Sequence, residues 1–253
     1  QLAFTASQAG QTQTSLWVRS LDSVDARHLT GTDGATYPFW SPDSTQIGFF
    51  AQGKLKKIAA AGGLALTLCE AVNGRGGTWN RDGVIVFTPT LDSGLYRVAD
   101  VGGAPVPVSN VVDVGNVDSR FPEFLPDGRR FLFLRLSEKD GGIYAGSLDG
   151  RPAARIFPDL SNSRYVAGRG QSGYLLFRRE NILMAQPFDP VRVQTTGGIV
   201  PIAEQVSVAG NTGYGAFDGS EDGTIAFISG IRGGARQLMW LDRTGKRLSV
   251  VTK

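Results

Sequence analysis

YPFWSPDSTQIGFFAQGKLKKIAAAGGLALTLCEA, residues Tyr37–Ala71, is the stretch that decides the fold of this 253-residue chain. Four short apolar runs in it are separated by turn-forming residues: Pro42-Asp43, Gly53 and Gly62-Gly63. Asp bonds its own backbone and Gly accepts a positive φ, so these residues favour tight turns. The pattern predicts an antiparallel meander of four strands. One such sheet cannot bury both of its faces, so it requires neighbours of the same kind.

An apolar-x-Phe signature in the second run of this stretch recurs along the whole chain. Its six phenylalanines are Phe4, Phe49, Phe87, Phe133, Phe177 and Phe227. Phe4 and Phe227 are 223 residues apart, so the five steps average about 44.6 residues, within the roughly 40–45 residues typical of a four-stranded propeller blade. A turn before the signature and a third apolar run after it keep the same phase, which indicates a structural repeat.

The repeat predicts an all-β fold, a six-bladed β-propeller of four-stranded antiparallel blades in a single domain, 1–253. The repeat units cover approximately 1–34, 37–71, 77–112, 119–159, 165–206 and 214–253. The first unit opens at its Phe signature and lacks a first strand. Two closures are compatible with this pattern: six blades of which one has three strands, or a natural chain that continues past Lys253. We expect the first.

Composition narrows the classes of partner. The net charge is +3 and the pI is about 9.1, and no apolar run reaches the roughly 20 residues of a membrane span. The basic residues are clustered next to turns in different units, as solvated strand faces and hairpin ends are. We therefore expect no nucleic-acid partner and no membrane contact by this domain itself. The clusters are Lys54/Lys56/Lys57, Arg129/Arg130 and Arg178/Arg179.

Few residues are suited to catalysis. His28 is the only histidine and Cys69 the only cysteine, so neither a histidine-rich nor a cysteine-based metal site is available. No Gly-x-Ser-x-Gly elbow occurs. We expect His28 to be a solvent-facing strand residue, Cys69 a buried small hydrophobe, and the chain to need no cofactor and no metal.

Loops that join the outer strand of one blade to the inner strand of the next are the predicted ligand-binding elements, because loops on a rigid scaffold concentrate function. The alternative is that these are ordinary solvated loops. An anion pocket built from Arg75, Arg120 and Arg164 would favour binding. The candidate residues, which would ring one mouth of the central channel, are Asn73, Arg75, Asp113, Asn116, Asp118, Arg120, Asn162, Arg164, Asn211 and Tyr214.

A propeller enzyme is a further alternative. A lyase or glycosidase would use paired carboxylates, and the pairs available are Asp113 with Asp118 and Glu123 with Asp218. Glycoside hydrolysis requires the two carboxyl groups to lie roughly 5–10 Å apart. The sequence does not give that distance. With a single histidine and no Gly-x-Ser-x-Gly elbow, we expect no enzyme activity from this chain.

The repeat resembles the TolB-like β-propeller family, whose blades carry a motif close to P-x-W-S-P-D-G-x-x-I-A-F. Residues 38–49 match it best, with Ser44 in place of Gly, and residues 121–128 give a second match. More narrowly, Gly53–Lys57, Gly76–Asn80 and Gly94–Val98 resemble the propeller joined to bacterial membrane-anchored serine/threonine protein kinases. The resemblance covers essentially the whole chain.

This resemblance implies a non-catalytic sensor or interaction domain in an extracytoplasmic location, periplasmic or at the cell surface. The kinase activity would lie in a separate domain, since the chain has no His-Arg-Asp loop, no Asp-Phe-Gly and no Gly-rich loop followed by Val-Ala-Ile-Lys. The implied partner is a protein, a peptide or a small ligand at the channel mouth, with a membrane span elsewhere in the full-length protein as the tether. A TolB-like protein–protein scaffold is the alternative of the same class.

Overall fold

The structure is a computed structural model that describes residues 1–8, 10–109, 118–168, 172–209, 213–220, 222–230, 239–241 and 247–250. Within these residues the regular elements are all strands, and the strands form antiparallel sheets. No helix long and apolar enough to cross a membrane occurs in this part of the chain. The predicted all-β propeller is confirmed.

The first three sheets follow the predicted units 1–34, 37–71 and 77–112. The first has three strands, in agreement with the missing inner strand, and each of the next two has four. Their strands are β1 (Leu2–Ala6), β2 (Ser15–Arg19) and β3 (Ala26–His28); β4 (Thr36–Trp40), β5 (Gln46–Ala51), β6 (Lys54–Ala59) and β7 (Leu66–Glu70); β8 (Gly77–Trp79), β9 (Val84–Phe87), β10 (Tyr96–Ala99) and β11 (Val106–Pro107).

The fourth and fifth sheets follow the units 119–159 and 165–206. The fifth has five strands instead of the predicted four, because its long third strand, β18, pairs with two short strands, β19 and β20. The strands are β12 (Asp118–Phe124), β13 (Arg130–Leu136), β14 (Gly142–Ser147) and β15 (Ala154–Phe157); β16 (Ser163–Ala167), β17 (Gly173–Arg179), β18 (Ile182–Asp189), β19 (Gln194–Thr195) and β20 (Val200–Ala203).

The sixth unit differs from the prediction of one four-stranded blade over 214–253. Its described residues form strand pairs, and the residues 231–238, which would connect the second strand to the third, lie outside the described part. Five sheets of at least three strands are therefore described, together with part of a sixth. The paired strands are β21 (Val208–Ala209) with β22 (Tyr214–Gly215), β23 (Phe217–Gly219) with β24 (Ile225–Phe227), and β25 (Met239–Leu241) with β26 (Arg247–Val250).

The hydrophobic core is divided into layers between adjacent sheets. Second strands are buried on both faces, so they read as continuous apolar runs: Phe49 on β5 packs toward the first sheet, and Phe50 packs toward the third. The same alternation on β9 directs Phe87 toward the second sheet and Val86 toward the fourth. Four of the six signature phenylalanines, Phe49, Phe87, Phe133 and Phe177, are at most 1% exposed. The repeated signature thus marks residues that bind neighbouring blades together.

The two ends of the propeller differ in their loops. At one end, the loops 71–76 and 88–95 hydrogen-bond to each other, through Asn73 N–H to the carbonyl of Pro89 and Arg75 N–H to that of Thr88. We call this end the channel-mouth face. At the opposite end lie the tight turns between first and second strands, where Asp43 accepts from the Thr45 N–H and Asn80 from the Val84 N–H. Side chain–backbone bonds of this kind are what the turn residues in the sequence predict.

Candidate functional site

Two inner strands carry an aromatic-Pro pair at the same place. Tyr37-Pro38 lies in β4 and Phe121-Pro122 in β12. Proline cannot donate a hydrogen bond to the ladder, and in each strand the register shifts at this point, between Thr36 and Phe39 and between Arg120 and Glu123. Tyr37 and Phe121 adopt left-handed φ angles of 47° and 54°. Such bulges redirect side chains, and these two lie against each other.

Three aromatic rings meet inside the ring of inner strands. Tyr37, Phe121 and Tyr214 contact one another, with centroid distances of 5.5 Å for Tyr37–Phe121, 5.4 Å for Tyr37–Tyr214 and 4.9 Å for Phe121–Tyr214. These distances are within the range of favourable aromatic pairs. Gly76 on the loop before β8 leaves room for them, since a Cβ there would lie 3.0 Å from the Phe121 Cα. We call these three rings the aromatic layer.

A layer of charged residues follows the aromatic layer, two to four residues further along the inner strands and away from the mouth. Arg164 on β16 donates through Nη1 to Glu123 on β12, and through Nε and Nη2 to Asp218 on β23, with Nη2–Oδ2 at 3.0 Å. Burial opposes the charge of Arg164, but Asp218 and then Glu123 outweigh it and raise its pKa well above the usual value. The arginine thus links three inner strands.

One carboxylate pair that an enzyme could use, Glu123 with Asp218, is therefore neutralised by Arg164. Glu123 and Asp218 both bind the Arg164 guanidinium, which fills the space between them. A glycosidase would need that space for the reacting sugar and a water or nucleophile. The structure thus brings the two residues together but in an ion-pair network. The other candidate pair cannot be described, because Asp113 lies outside the described residues.

Tyr214 belongs to the aromatic layer and lies close to the charged residues. Burial, and next the nearby Asp218, raise the pKa of its hydroxyl to about 12, although Arg164 acts in the opposite direction. The phenol is therefore protonated at physiological pH. It contributes a neutral polar group to the aromatic layer.

The cavity beside these two layers is small. It is bounded by the aromatic rings, Glu123 and Arg164 and has a volume of about 40 Å³. A space of this size admits a few water molecules. A sugar or a nucleotide would have to displace the aromatic rings to enter.

The other predicted site residues have separate positions. Asp118 and Arg120 pair with each other, with Nε–Oδ1 at 2.6 Å. Asn162 is 5% exposed and structural: its amide accepts from the Gly215 N–H at 2.7 Å and donates to the Gly215 carbonyl at 3.3 Å, so it joins the fifth unit to the sixth. Asp113, Asn116 and Asn211 lie outside the described residues.

The three-arginine anion pocket that would favour binding does not form among the described residues. Carboxylates bind Arg120 and Arg164. Arg75 has no carboxylate oxygen within 4.0 Å among the described residues, and its guanidinium lies 5.8 Å from the centre of the Tyr37 ring. Within the described part of the chain, Arg75 is therefore the one of these three arginines that no carboxylate binds.

Two expectations concerned single residues. Cys69 is 8% exposed, and burial, with a smaller contribution from Glu70, raises its pKa to about 11, which confirms the buried small hydrophobe. His28 on β3 keeps part of its side chain exposed, with its ring 5.0 Å from that of Trp17, so the solvent-facing strand residue is not contradicted. No group of three or more His, Cys, Asp or Glu suited to a metal ion occurs in the described part of the chain.

Phe121 is the site residue that the sequence analysis missed. The signal for it was present, since Phe121-Pro122 repeats Tyr37-Pro38 at the same place in another unit. The role of Gly76 was also missed, because a glycine before a strand reads as a turn.

Comparison with known proteins supports the fold. No family model matches the chain, and no curated protein does. Among solved structures, it is similar to TolB from Acinetobacter baumannii, with a TM-score of 0.69 and 15% identity over 97% of this chain and 61% of that one. It is also similar to a TolB described as putative in Agrobacterium tumefaciens, with a TM-score of 0.67 and 15% identity over 96% and 90% of the two chains.

A gluconolactonase from Xanthomonas campestris is a third similar structure, with a TM-score of 0.59 and 14% identity over 85% of this chain and 75% of that one. At identities this low, the likeness shows a shared propeller fold and no shared function. The chain spans about three fifths of the Acinetobacter TolB. The link to kinase-attached propellers stays a prediction.

Proposed function

We propose that this chain is a non-catalytic interaction propeller that binds a protein or peptide on its channel-mouth face. The observation that carries the proposal is how the described inner strands fill the channel. The aromatic layer covers it, and Arg164 occupies the two carboxylates that an enzyme of this architecture would use.

The size of the free space favours a macromolecular partner. Small-molecule sites are clefts of roughly 300–1,000 Å³ that bury most of the ligand, whereas the cavity beside the aromatic layer admits only a few waters. A partner lying across the face can instead contact many loops at once. Val72 and Leu91, which are 74% and 38% exposed, flank the Asn73–Pro89 hydrogen bond on this face and offer it apolar contacts.

The likeness to the two TolB chains supports this choice at the level of fold. On the same ground we propose an extracytoplasmic location, and a TolB-like scaffold is the alternative of the same class. Secretion of the full-length protein with a reporter fused to this domain would test the location. Reporter activity confined to the cytoplasm would contradict it.

Two finer proposals rest on the sequence pattern. The propeller belongs to a receptor-type serine/threonine kinase, as the resemblance of Gly53–Lys57, Gly76–Asn80 and Gly94–Val98 implies; a full reading frame without a kinase domain would refute this. The unit 214–253 supplies a sixth blade; a crystal structure with five-fold ring closure would refute that.

An enzyme remains the competing proposal, because the gluconolactonase shares the fold. The direct assay is turnover of glucono-δ-lactone with and without divalent metals, comparing the protein with its Glu123→Gln variant. We expect identical background rates. Metal-dependent hydrolysis that the variant lacks would refute the proposed function.

The binding test is selection of displayed random peptides on the immobilised propeller. Selected peptides should raise the thermal stability of the protein. A ligand at 100 times its dissociation constant adds about 2.7 kcal/mol, which corresponds to a shift of roughly 5–10 °C for a domain of this size. Failure to select any peptide that gives a saturable shift would contradict the proposal.

A further inference from the structure

We propose that Arg75 anchors a carboxylate of the bound peptide at the edge of the aromatic layer. This inference rests on the proposed function, because it names the chemistry of the ligand that the channel-mouth face takes. It follows from the position of Arg75, its charge and its stacking on Tyr37.

The backbone of Arg75 is held from both sides. Its N–H donates to the carbonyl of Thr88 at 3.2 Å, and its carbonyl accepts from the N–H of Phe121 at 2.9 Å. The side chain is tied as well, since Nη1 donates to the carbonyl of Gly74 at 2.9 Å and, more weakly, to that of Asn73 at 3.4 Å. A half-buried arginine so fixed loses little freedom when it binds a ligand.

The charge of Arg75 lacks a counter-ion in the described part of the chain. Arg120 and Arg164, the other two arginines predicted for the mouth, are bound by carboxylates. The hydrogen bonds of Arg75 use Nη1, and its buried Nε has no partner. Since a guanidinium has five N–H donors, Arg75 has donors that the described residues leave unused.

Tyr37 orients this guanidinium. The Arg75 carbon Cζ lies 5.8 Å from the Tyr37 ring centre, within the range of cation–π contacts. The Pro38 bulge and the left-handed φ of Tyr37 hold the ring. A planar fork held in this way matches the two oxygens of a carboxylate.

A carboxylate fits this site better than a phosphate group. Phosphopeptide-recognition sites use clusters of arginines, whereas the described residues at this mouth leave one arginine, Arg75, without a carboxylate. Two sources of a carboxylate exist in a peptide: its C-terminus, or the side chain of an Asp or Glu. The apolar residues Val72 and Leu91 lie on the same face and would contact neighbouring residues of that peptide.

The test uses the whole 253-residue protein and the peptides selected on it. Dissociation constants are measured for the wild type, Arg75→Gln and Arg75→Lys. The matched control is Arg97→Gln, which removes the same charge from an exposed arginine on β10 in the same sheet. Each peptide is made with a free and an amidated C-terminus, and with each acidic residue replaced by its amide.

We expect the selected peptides to bind roughly 10- to 100-fold more weakly to Arg75→Gln, the range for a lost hydrogen bond to a charged group. Arg75→Lys should recover part of the binding, and Arg97→Gln should bind as the wild type does. Neutralising one carboxylate of the peptide should cause the same loss, and should cause no further loss in Arg75→Gln. A loss on amidation identifies the C-terminus as the source of the carboxylate. A loss on Asp→Asn or Glu→Gln replacement identifies a side chain.

Two results would overturn the inference. Peptides that bind the wild type tightly and Arg75→Gln with the same dissociation constant would refute the role of Arg75 and leave the proposed function intact. Failure to select any peptide would refute both together. Equal circular dichroism spectra and melting temperatures for the variants establish that they are folded.

Discussion

Replacing Arg164 by Met is the sharpest test of the charged layer. The side chains of Arg164, Glu123 and Asp218 are 22%, 16% and 45% exposed, and the change leaves two carboxylates without their cation. Breaking a fully buried pair costs about 3–5 kcal/mol, and the exposure of Asp218 reduces this through solvent screening. We expect a loss of about 3 kcal/mol in the free energy of unfolding, or roughly 6–12 °C in melting temperature. The assay is urea unfolding at pH 7.

The matched control is Arg192→Met. Arg192 pairs with Asp189 at 3.1 Å, but its side chain is 77% exposed, and exposed pairs contribute about 0–1 kcal/mol. Adding Glu123→Gln and Asp218→Asn to Arg164→Met should restore much of the stability, because the unpaired charges are then gone. Equal losses in Arg164→Met and Arg192→Met, or no recovery in the triple variant, would refute the reasoning.

Three further predictions concern single residues. Asn162→Leu leaves the N–H and carbonyl of Gly215 without their side-chain partner and should cost about 2–4 kcal/mol in urea unfolding; a loss below about 0.5 kcal/mol would contradict the inter-unit role. Tyr214 has a folded pKa of about 12 against roughly 10 when unfolded. Its stabilising contribution is therefore complete below pH 10 and lost between pH 10 and 12. The phenolate absorbance of the wild type minus that of Tyr214→Phe should show one group titrating near pH 12, and titration near pH 10 would be the contrary result. The Cys69 thiol, whose pKa burial raises to about 11, should react with a thiol reagent at pH 7 only on unfolding; fast reaction of the native protein would show that it is accessible.

The fold was predictable because its signals are local and repeated. Positions such as those of Phe49 and Phe87 are buried between two sheets. The equivalent position therefore requires an apolar side chain in every blade. The turn at Asp43 uses its own side chain. Where pairing depends on a partner far along the chain, prediction was weaker. The fifth sheet has five strands instead of four because β18 is long enough to pair with both β19 and β20.

The candidate site was predictable only in part. Sequence position placed Arg164, Tyr214 and Arg75 near the mouth, but it could not show that Arg164 binds Glu123 and Asp218 from two other sheets. Those contacts span 41 and 54 residues of the chain, and they depend on how the inner strands close around the channel. Asn162 looks like a polar loop residue in the sequence, because its hydrogen-bond partner Gly215 is 53 residues away.

Hydrogen exchange of the propeller with and without a selected peptide tests most directly the claim that the channel-mouth face is the binding surface. We expect slower exchange in the loops 71–76 and 88–95, and unchanged exchange in the turns 41–45 and 80–83 at the opposite end. Protection confined to the turns at the opposite end, or to outer strands such as β7, would contradict it.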